Sequence, residues 1–177
     1  MKPLGTKAPD FALPDVVTGK TVTTRDAAGP KGMLAMFICR HCPFVKHVEQ
    51  ELARIGREYS GRGVGVVAIS ANDVTSHPED SPMKLSLQAR ELGFTFPYLF
   101  DESQEVARAY DAQCTPDFFL YDADGLLVYR GQLDGSRPGN DVPVTGADLR
   151  NALEDLIAGR PIASEQRASI GCNIKWR

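Results

Sequence analysis

Cys39 and Cys42 enclose Arg40 and His41, and two thiols at this spacing can close a disulfide and reopen it. If the pair stands where a strand passes into a helix, the unpaired amides and positive end of that helix favour a thiolate at the first sulfur. The second lies one turn in, within reach of a mixed disulfide formed on the first. No Asp or Glu occurs between Asp26 and Glu49, whereas Lys31, Arg40, His41, Lys46 and His47 do. The sequence therefore predicts a depressed Cys39 pKa, Cys39 as the solvent-facing nucleophile, Cys42 as the resolving thiol and His41, with Arg40, as tuners of the pair. The competing readings are a buried inert pair or half of a zinc site. Zinc wants a second Cys/His pair at short spacing, and the other two cysteines, Cys114 and Cys172, are solitary, so neither a metal nor a cofactor is expected.

The elements that must position these thiols are legible from periodicity. Leu34 to Ile38 is a continuous apolar run, as expected of a central strand covered on both faces, and the cysteines follow it. Phe44, Val48, Leu52, Ile55 and Tyr59 then recur at helical spacing, with Pro43 suited to the first turn. Gly61 and Gly63 end that helix and Val64 to Ile69 returns as a buried strand, completing a β-α-β unit. A short hairpin around Phe11–Leu13 and Gly19–Val22 precedes it. After a polar loop from Asn72 to Pro82 come a weaker helix over 83–92, a strand over 96–100 and a helix over 103–112. Strands at Phe118–Tyr121 and Leu126–Tyr129 flank the turn Asp122–Gly125. The last helix carries Leu149, Ala152, Leu153, Leu156 and Ile157, with Thr145 and Asp148 at capping-box spacing and Gly159 at its end. Residues 1–177 are expected to form one α/β domain, a central mixed sheet flanked by helices, with 160–177 as a C-terminal tail.

A composition of 42% hydrophobic and 24% charged residues, with a net charge of -3, is that of an ordinary water-soluble chain. It offers no global field for nucleic acid or an anionic membrane. No apolar stretch at the N-terminus resembles a signal peptide and no run is long enough to span a bilayer, so the expected compartment is the cytoplasm. There, few cysteines argue for redox chemistry over structural bridges. The expected partners are protein or low-molecular-weight thiols and disulfides, with hydroperoxides as the alternative, and neither nucleic acid nor membrane.

Ala8-Pro9-Asp10-Phe11, Cys39 to Cys42, and Thr115-Pro116 ahead of a strand together resemble the thioredoxin superfamily, in its redoxin branch with the peroxiredoxins of the AhpC/TSA group. The tail Gly171-Cys172-Asn173-Ile174-Lys175-Trp176 is similar to that of peroxiredoxin-like members. The resemblance implies a thioredoxin fold with an N-terminal hairpin, a cis Thr115-Pro116 bond facing the cysteines and a substrate strand docking beside Pro116. It also carries departures. Ile38 stands where thioredoxins have Trp, Met33 where they have a buried Asp, and Met36 where peroxiredoxins have the Thr that orients a peroxide. Thiol-disulfide exchange is accordingly the expected activity, peroxide reduction the alternative, and a soft-metal or partner-binding module without turnover the third reading. Arg130 is a candidate for the peroxiredoxin arginine, with an exposed strand-end role as the simpler expectation. Cys114 lies near the presumed cis-proline, and a tail returning on Ile170, Ile174 and Trp176 would make Cys114 and Cys172 a second redox pair. Asn72, Asp73, His77 and Ser136 to Asn140 are read as solvated loops.

Overall fold

The computed structural model describes all 177 residues. Gly32–Phe37 forms β3, every residue of it buried, at the centre of a five-stranded sheet. β4 (Val64–Ser70) lies parallel to β3, and β5 (Tyr98–Phe100) parallel to β4. On the other side β7 (Asp117–Asp122) runs antiparallel to β3, and β8 (Leu127–Gly131) antiparallel to β7, joined through the turn at Gly125. The order β5-β4-β3-β7-β8, mixed in direction and flanked by helices, is the thioredoxin fold that the sequence implied. β1 (Ala12–Pro14) and β2 (Thr21–Thr23) make the expected hairpin, followed by a four-residue helix α1 (Thr24–Ala27). That helix is closed by a capping box of Thr23 and Asp26.

The apolar run of β3 hides a period of two. Leu34, Met36 and Ile38 point into the larger core with Cys39, Cys42 and the inner face of α2 (Pro43–Ser60), namely Val45, Val48, Leu52, Ile55 and Tyr59. Met33, Ala35 and Phe37 point into the opposite core with Phe11, Tyr110 and Phe119. Each such side chain contributes roughly 2 kcal/mol by leaving water. The cysteines are thus built into the larger core rather than set upon it.

Several boundaries differ from the pattern of the sequence. α3 (Pro82–Leu92) starts one residue early, because the Ser81 hydroxyl accepts the Lys84 N–H as its cap. α4 (Glu105–Tyr110) is shorter than expected, held between Gln104 and Asp111, both with left-handed backbone. Thr145 and Asp148 form no capping box at α5 (Ala147–Ala158), whose cap is Gly146. The buried Asp134 carboxylate instead accepts the N–H groups of Thr145 and Gly146. Pro78–Asp80 makes a 3-10 turn inside the long polar loop.

The tail does return. Gln166 and Arg167 follow the edge of β8, accepting the Arg130 and Gln132 N–H groups, and Ser169 donates to the Gly131 carbonyl. β9 (Cys172–Asn173) then pairs antiparallel with β6 (Cys114–Thr115). Ile174 is the buried anchor and Trp176 lies beneath the Arg108 guanidinium at 4.2 Å, whereas Ile170, expected as an anchor, is 59% exposed.

Asp117, at the head of β7, accepts the Gln113 N–H in a buried position, and burial pushes its carboxyl up to about 6 from 3.8. A raised acid pKa means that the folded state binds more protons than the unfolded state between these values, so this group adds stability as pH falls. Asp117→Asn should stabilise the protein at pH 7 by roughly 2 kcal/mol, and that advantage should vanish toward pH 4. Urea denaturation of both proteins at the two pH values checks this, and an advantage that grows on acidification would contradict it.

Candidate active site

β3 delivers the chain to Ile38, whose N–H donates to the Ile69 carbonyl, and α2 begins at Pro43 with Cys42 as its cap residue. Cys39 and Cys42 therefore occupy the junction between sheet and helix. Cys39 Sγ lies 3.5 Å from the Thr115 hydroxyl and Cys42 Sγ 3.5 Å from the Thr115 carbonyl oxygen. The Thr115-Pro116 bond is cis, as the resemblance implied. The Gln88 amide donates to the Cys39 carbonyl while its own oxygen accepts from the Tyr98 hydroxyl, so α3 and β5 also hold the turn.

Asp80 is the residue that sequence reasoning missed. It is fully buried in the loop that was read as solvated. Oδ1 accepts the backbone N–H groups of Arg40 and His41 at 2.8 and 3.0 Å. Oδ2 accepts the Asn72 amide at 3.0 Å and pairs with His41 Nδ1. One carboxylate thus fixes the backbone between the cysteines and the ring of His41, beside which the His77 ring lies tilted at a centroid distance of 4.9 Å. Asp80, His41 and Cys39 bring their ligand-type atoms within 4.8 Å of one another. These are three donors, with both oxygens of Asp80 already taken by N–H groups, so the trio forms a hydrogen-bonded unit before any metal is considered.

The electrostatics run against the expected order of acidities. The positive local sequence ignores Asp80, which comes from 39 residues beyond His41 and sets its charge beside Cys39. In the reduced pair the Cys39 S–H donates to Cys42, which raises Cys39, and burial and the Asp80 carboxylate raise it further. The same bond is the largest cause that brings Cys42 down to about 4, helped by the Cys172 thiol, the Thr115 hydroxyl and the Val45 N–H and opposed by burial. One proton is shared by the two sulfurs, with Cys39 the side raised and Cys42 the side lowered. Nor does Cys39 face solvent, since Cys39 and Cys42 are both 0% exposed.

The tail supplies the cover. Cys172 stands opposite Thr115 in the β6–β9 register and packs against the core cluster that holds Cys39 and Cys42. Cys114, opposite Asn173, turns its sulfur to the Pro116 carbonyl at 3.6 Å, and burial pushes its thiol up to about 12. Cys114 and Cys172, expected as a second pair, are thus offset by one position in the register, with the Cys114 sulfur directed to the Pro116 carbonyl. The edge beside Pro116, where a substrate strand was expected, is filled by the chain's own β9.

Gly171 permits that seat, because a Cβ there would overlap the Thr115 carbonyl oxygen, a backbone atom that cannot step aside. Gly171→Ala should lift the tail and raise the rate at which iodoacetamide modifies the Cys39–Cys42 pair by at least roughly tenfold. An unchanged rate, followed by peptide mass spectrometry, would show that the tail is not the cover.

A match to the AhpC/TSA family model spans residues 4–130, the larger part of the chain. The chain belongs to the AhpC/TSA family. Over its whole length this AhpC/TSA chain superposes on the crystal structure of an uncharacterized conserved protein from Geobacillus kaustophilus. The two are 54% identical with a TM-score of 0.98, and the match covers 94% of that protein. It is also 27% identical, over 70% of its own length, to the thiol-disulfide oxidoreductase ResA of Halalkalibacterium halodurans. A similar stretch is 27% identical to the thiol:disulfide interchange protein DsbE of Allochromatium vinosum. These matches span 65% and 63% of the two relatives, just under two thirds of their own length.

Within this AhpC/TSA fold the candidate peroxidatic features lie apart from the cysteines. Arg130 sits on β8 opposite Phe119, whose ring belongs to the core on the other face of the sheet from Cys39, and its guanidinium reaches Met1. Met36, in the place of the peroxide-orienting Thr, is fully buried. Of the loop residues read as solvated, Asn72 and Ser136 are buried as well, Ser136 against His47 at 2.7 Å. No helix is long and apolar enough to cross a membrane.

Proposed function

We propose that this AhpC/TSA chain is a thiol-disulfide oxidoreductase in which Cys39 and Cys42 alternate between dithiol and disulfide, with protein or low-molecular-weight disulfides as substrates. The observation that carries the reading is that both sulfurs gather on Thr115 at the start of α2, Cys39 3.5 Å from its hydroxyl and Cys42 3.5 Å from its carbonyl oxygen. The likeness to ResA and DsbE proteins supports it.

Cys39 passes its proton to the Cys42 sulfur and attacks one sulfur of the substrate disulfide, and the other sulfur leaves as a thiolate that takes the proton from Cys42. Cys42 then attacks Cys39, freeing the second substrate thiol and leaving the Cys39–Cys42 disulfide. Each exchange forms one S–S bond and breaks one. Asp80 and His41 are positioning residues, holding the turn that carries both sulfurs. The cytoplasm is part of the proposal, and fractionation of cells producing the tagged chain tests it.

Turnover of a protein disulfide and of hydrogen peroxide, each with a dithiol reductant, separates the two enzyme readings. Disulfide reduction should exceed peroxide consumption by about a hundredfold or more in kcat/KM, because no Thr stands three residues before either cysteine to orient a peroxide. Faster peroxide turnover that depends on Cys39 or Cys42 would make the peroxidase reading the better one.

A further inference from the structure

Both sulfurs of the pair are sealed from solvent, yet an oxidoreductase must exchange electrons with something outside. Cys172 is the one cysteine that is partly exposed, and it packs against the core cluster that contains both sulfurs. Three independent features seat it there: the β6–β9 pairing that sets it across from Thr115, the close approach of Gly171 to the Thr115 carbonyl, and the burial of Ile174 two residues on. Downstream, the Asn72 side-chain oxygen accepts the Lys175 N–H, and Gln104 both donates to the Lys175 carbonyl and accepts the Arg177 N–H. A tail held at so many points is a built element of the site rather than a loose end lying across it.

We propose that Cys172 is a third redox thiol, which exchanges with the Cys39–Cys42 disulfide and carries the oxidised state from two sealed sulfurs to one that solvent can reach. The proposal rests on the functional reading above, since it needs that disulfide as its starting state. Cys172 loses its proton to water, and its thiolate attacks Cys42 Sγ. The Cys42–Cys172 bond forms, the Cys39–Cys42 bond breaks, and the electron pair leaves on Cys39, which takes up a proton. No net oxidation occurs. A low-molecular-weight thiol then attacks Cys172, releases Cys42, and a second equivalent of that thiol frees Cys172.

The attack falls on Cys42 because Cys172 stands across from Thr115, whose carbonyl oxygen lies 3.5 Å from Cys42 Sγ. In the reduced protein burial and the bond to the Cys42 anion push the Cys172 thiol up to about 11, with Lys175 acting the other way. Closing the Cys39–Cys42 disulfide removes that anion, so Cys172 becomes easier to ionise in the state where it is needed. A consequence is selection by size. While β9 fills the edge beside Pro116, small thiols reach the pair through Cys172, and a polypeptide substrate must first displace the tail.

The test uses full-length wild type, Cys39→Ser and Cys172→Ser, each reduced, treated with oxidised glutathione and mapped by peptide mass spectrometry without reduction. Cys39→Ser should yield a Cys42–Cys172 peptide as its main disulfide. Oxidised Cys172→Ser, holding Cys39–Cys42 alone, should be re-reduced by glutathione at least roughly tenfold more slowly than oxidised wild type. If Cys39→Ser gives only glutathione on Cys42, or if Cys172→Ser is re-reduced as fast as wild type, the proposal is wrong, although a Cys39–Cys42 peptide in wild type would leave the functional reading in place. If wild type forms no Cys39–Cys42 bond at all, the functional reading fails, and the exchange fails with it for want of its starting state.

Discussion

Asp80→Ala should cost about 3 to 5 kcal/mol of stability and at least roughly a hundredfold in disulfide reduction, the largest combined loss of any single side chain outside the cysteines. The stability loss follows from what the carboxylate satisfies. Four N–H donors, from Arg40, His41 backbone, His41 ring and Asn72, point at its two oxygens in a fully buried position. Each orphaned donor costs about 1 to 3 kcal/mol, less whatever entering water recovers. The activity loss follows from geometry, since two of those donors are the peptide groups that link the cysteines. Asp80→Asn separates charge from shape: it keeps an acceptor but removes the negative charge that raises Cys39, so the second thiolate should appear at lower pH than in wild type. Urea denaturation gives the first quantity, turnover the second and thiolate absorbance near 240 nm the third. An Asp80→Ala protein with wild-type stability and turnover would mean that the cluster is ornamental.

Replacing either cysteine of the pair should abolish turnover, by a factor of about a thousand or more, but the two replacements should leave opposite titrations. Reduced wild type should hold one thiolate of the pair from about pH 5 upward, because Cys42 is brought down to about 4 by the Cys39 S–H. In Cys42→Ala the remaining Cys39 is buried beside Asp80 with only the Thr115 hydroxyl in its favour, so no thiolate of the pair should be seen at neutral pH. In Cys39→Ala the largest stabilising bond to Cys42 is gone while the Cys172, Thr115 and Val45 donors stay, so the first ionisation should fall between those of the other two proteins. A neutral-pH thiolate that survives in Cys42→Ala would place the resting anion on Cys39, as the sequence alone suggests.

The contrast shows what kind of information the chain carries on its face. The strand of Leu34 to Ile38, the helix from Pro43 and the cysteines between them are written as local periodicity, and the structure has them where the pattern puts them. The hairpin turn at Asp122 to Gly125 is likewise tied to residue types that need little context, whereas the cis bond before Pro116 is legible only through the family resemblance. Asp80 is different. Nothing nearby marks it, since Pro78, Glu79 and Ser81 make an ordinary polar turn, and its burial depends on a partner 39 residues away. A pattern of period two or 3.6 reports which face of an element is apolar, and a loop has no such face. Asn72 and Ser136 were misread for the same reason. The tail's apolar residues announced that it would dock, but the placing of Cys172 across from Thr115 rather than Cys114 was set by strand register, and one residue of slip reverses which side chain points inward.

Asn72 ties the two halves of the site together, because one amide donates to Asp80 and accepts from the backbone of Lys175. Docking of the C-terminal strand and ordering of the carboxylate cluster are therefore linked equilibria. By reciprocity, any free energy by which the docked strand steadies Asp80 is returned as free energy by which Asp80 steadies the strand. A ligand that peels the tail away would loosen the turn between the cysteines at the same moment, so uncovering the sulfurs and relaxing them become a single event. A double-mutant cycle with Asn72→Ala and Gly171→Ala would read that coupling as a departure from additivity.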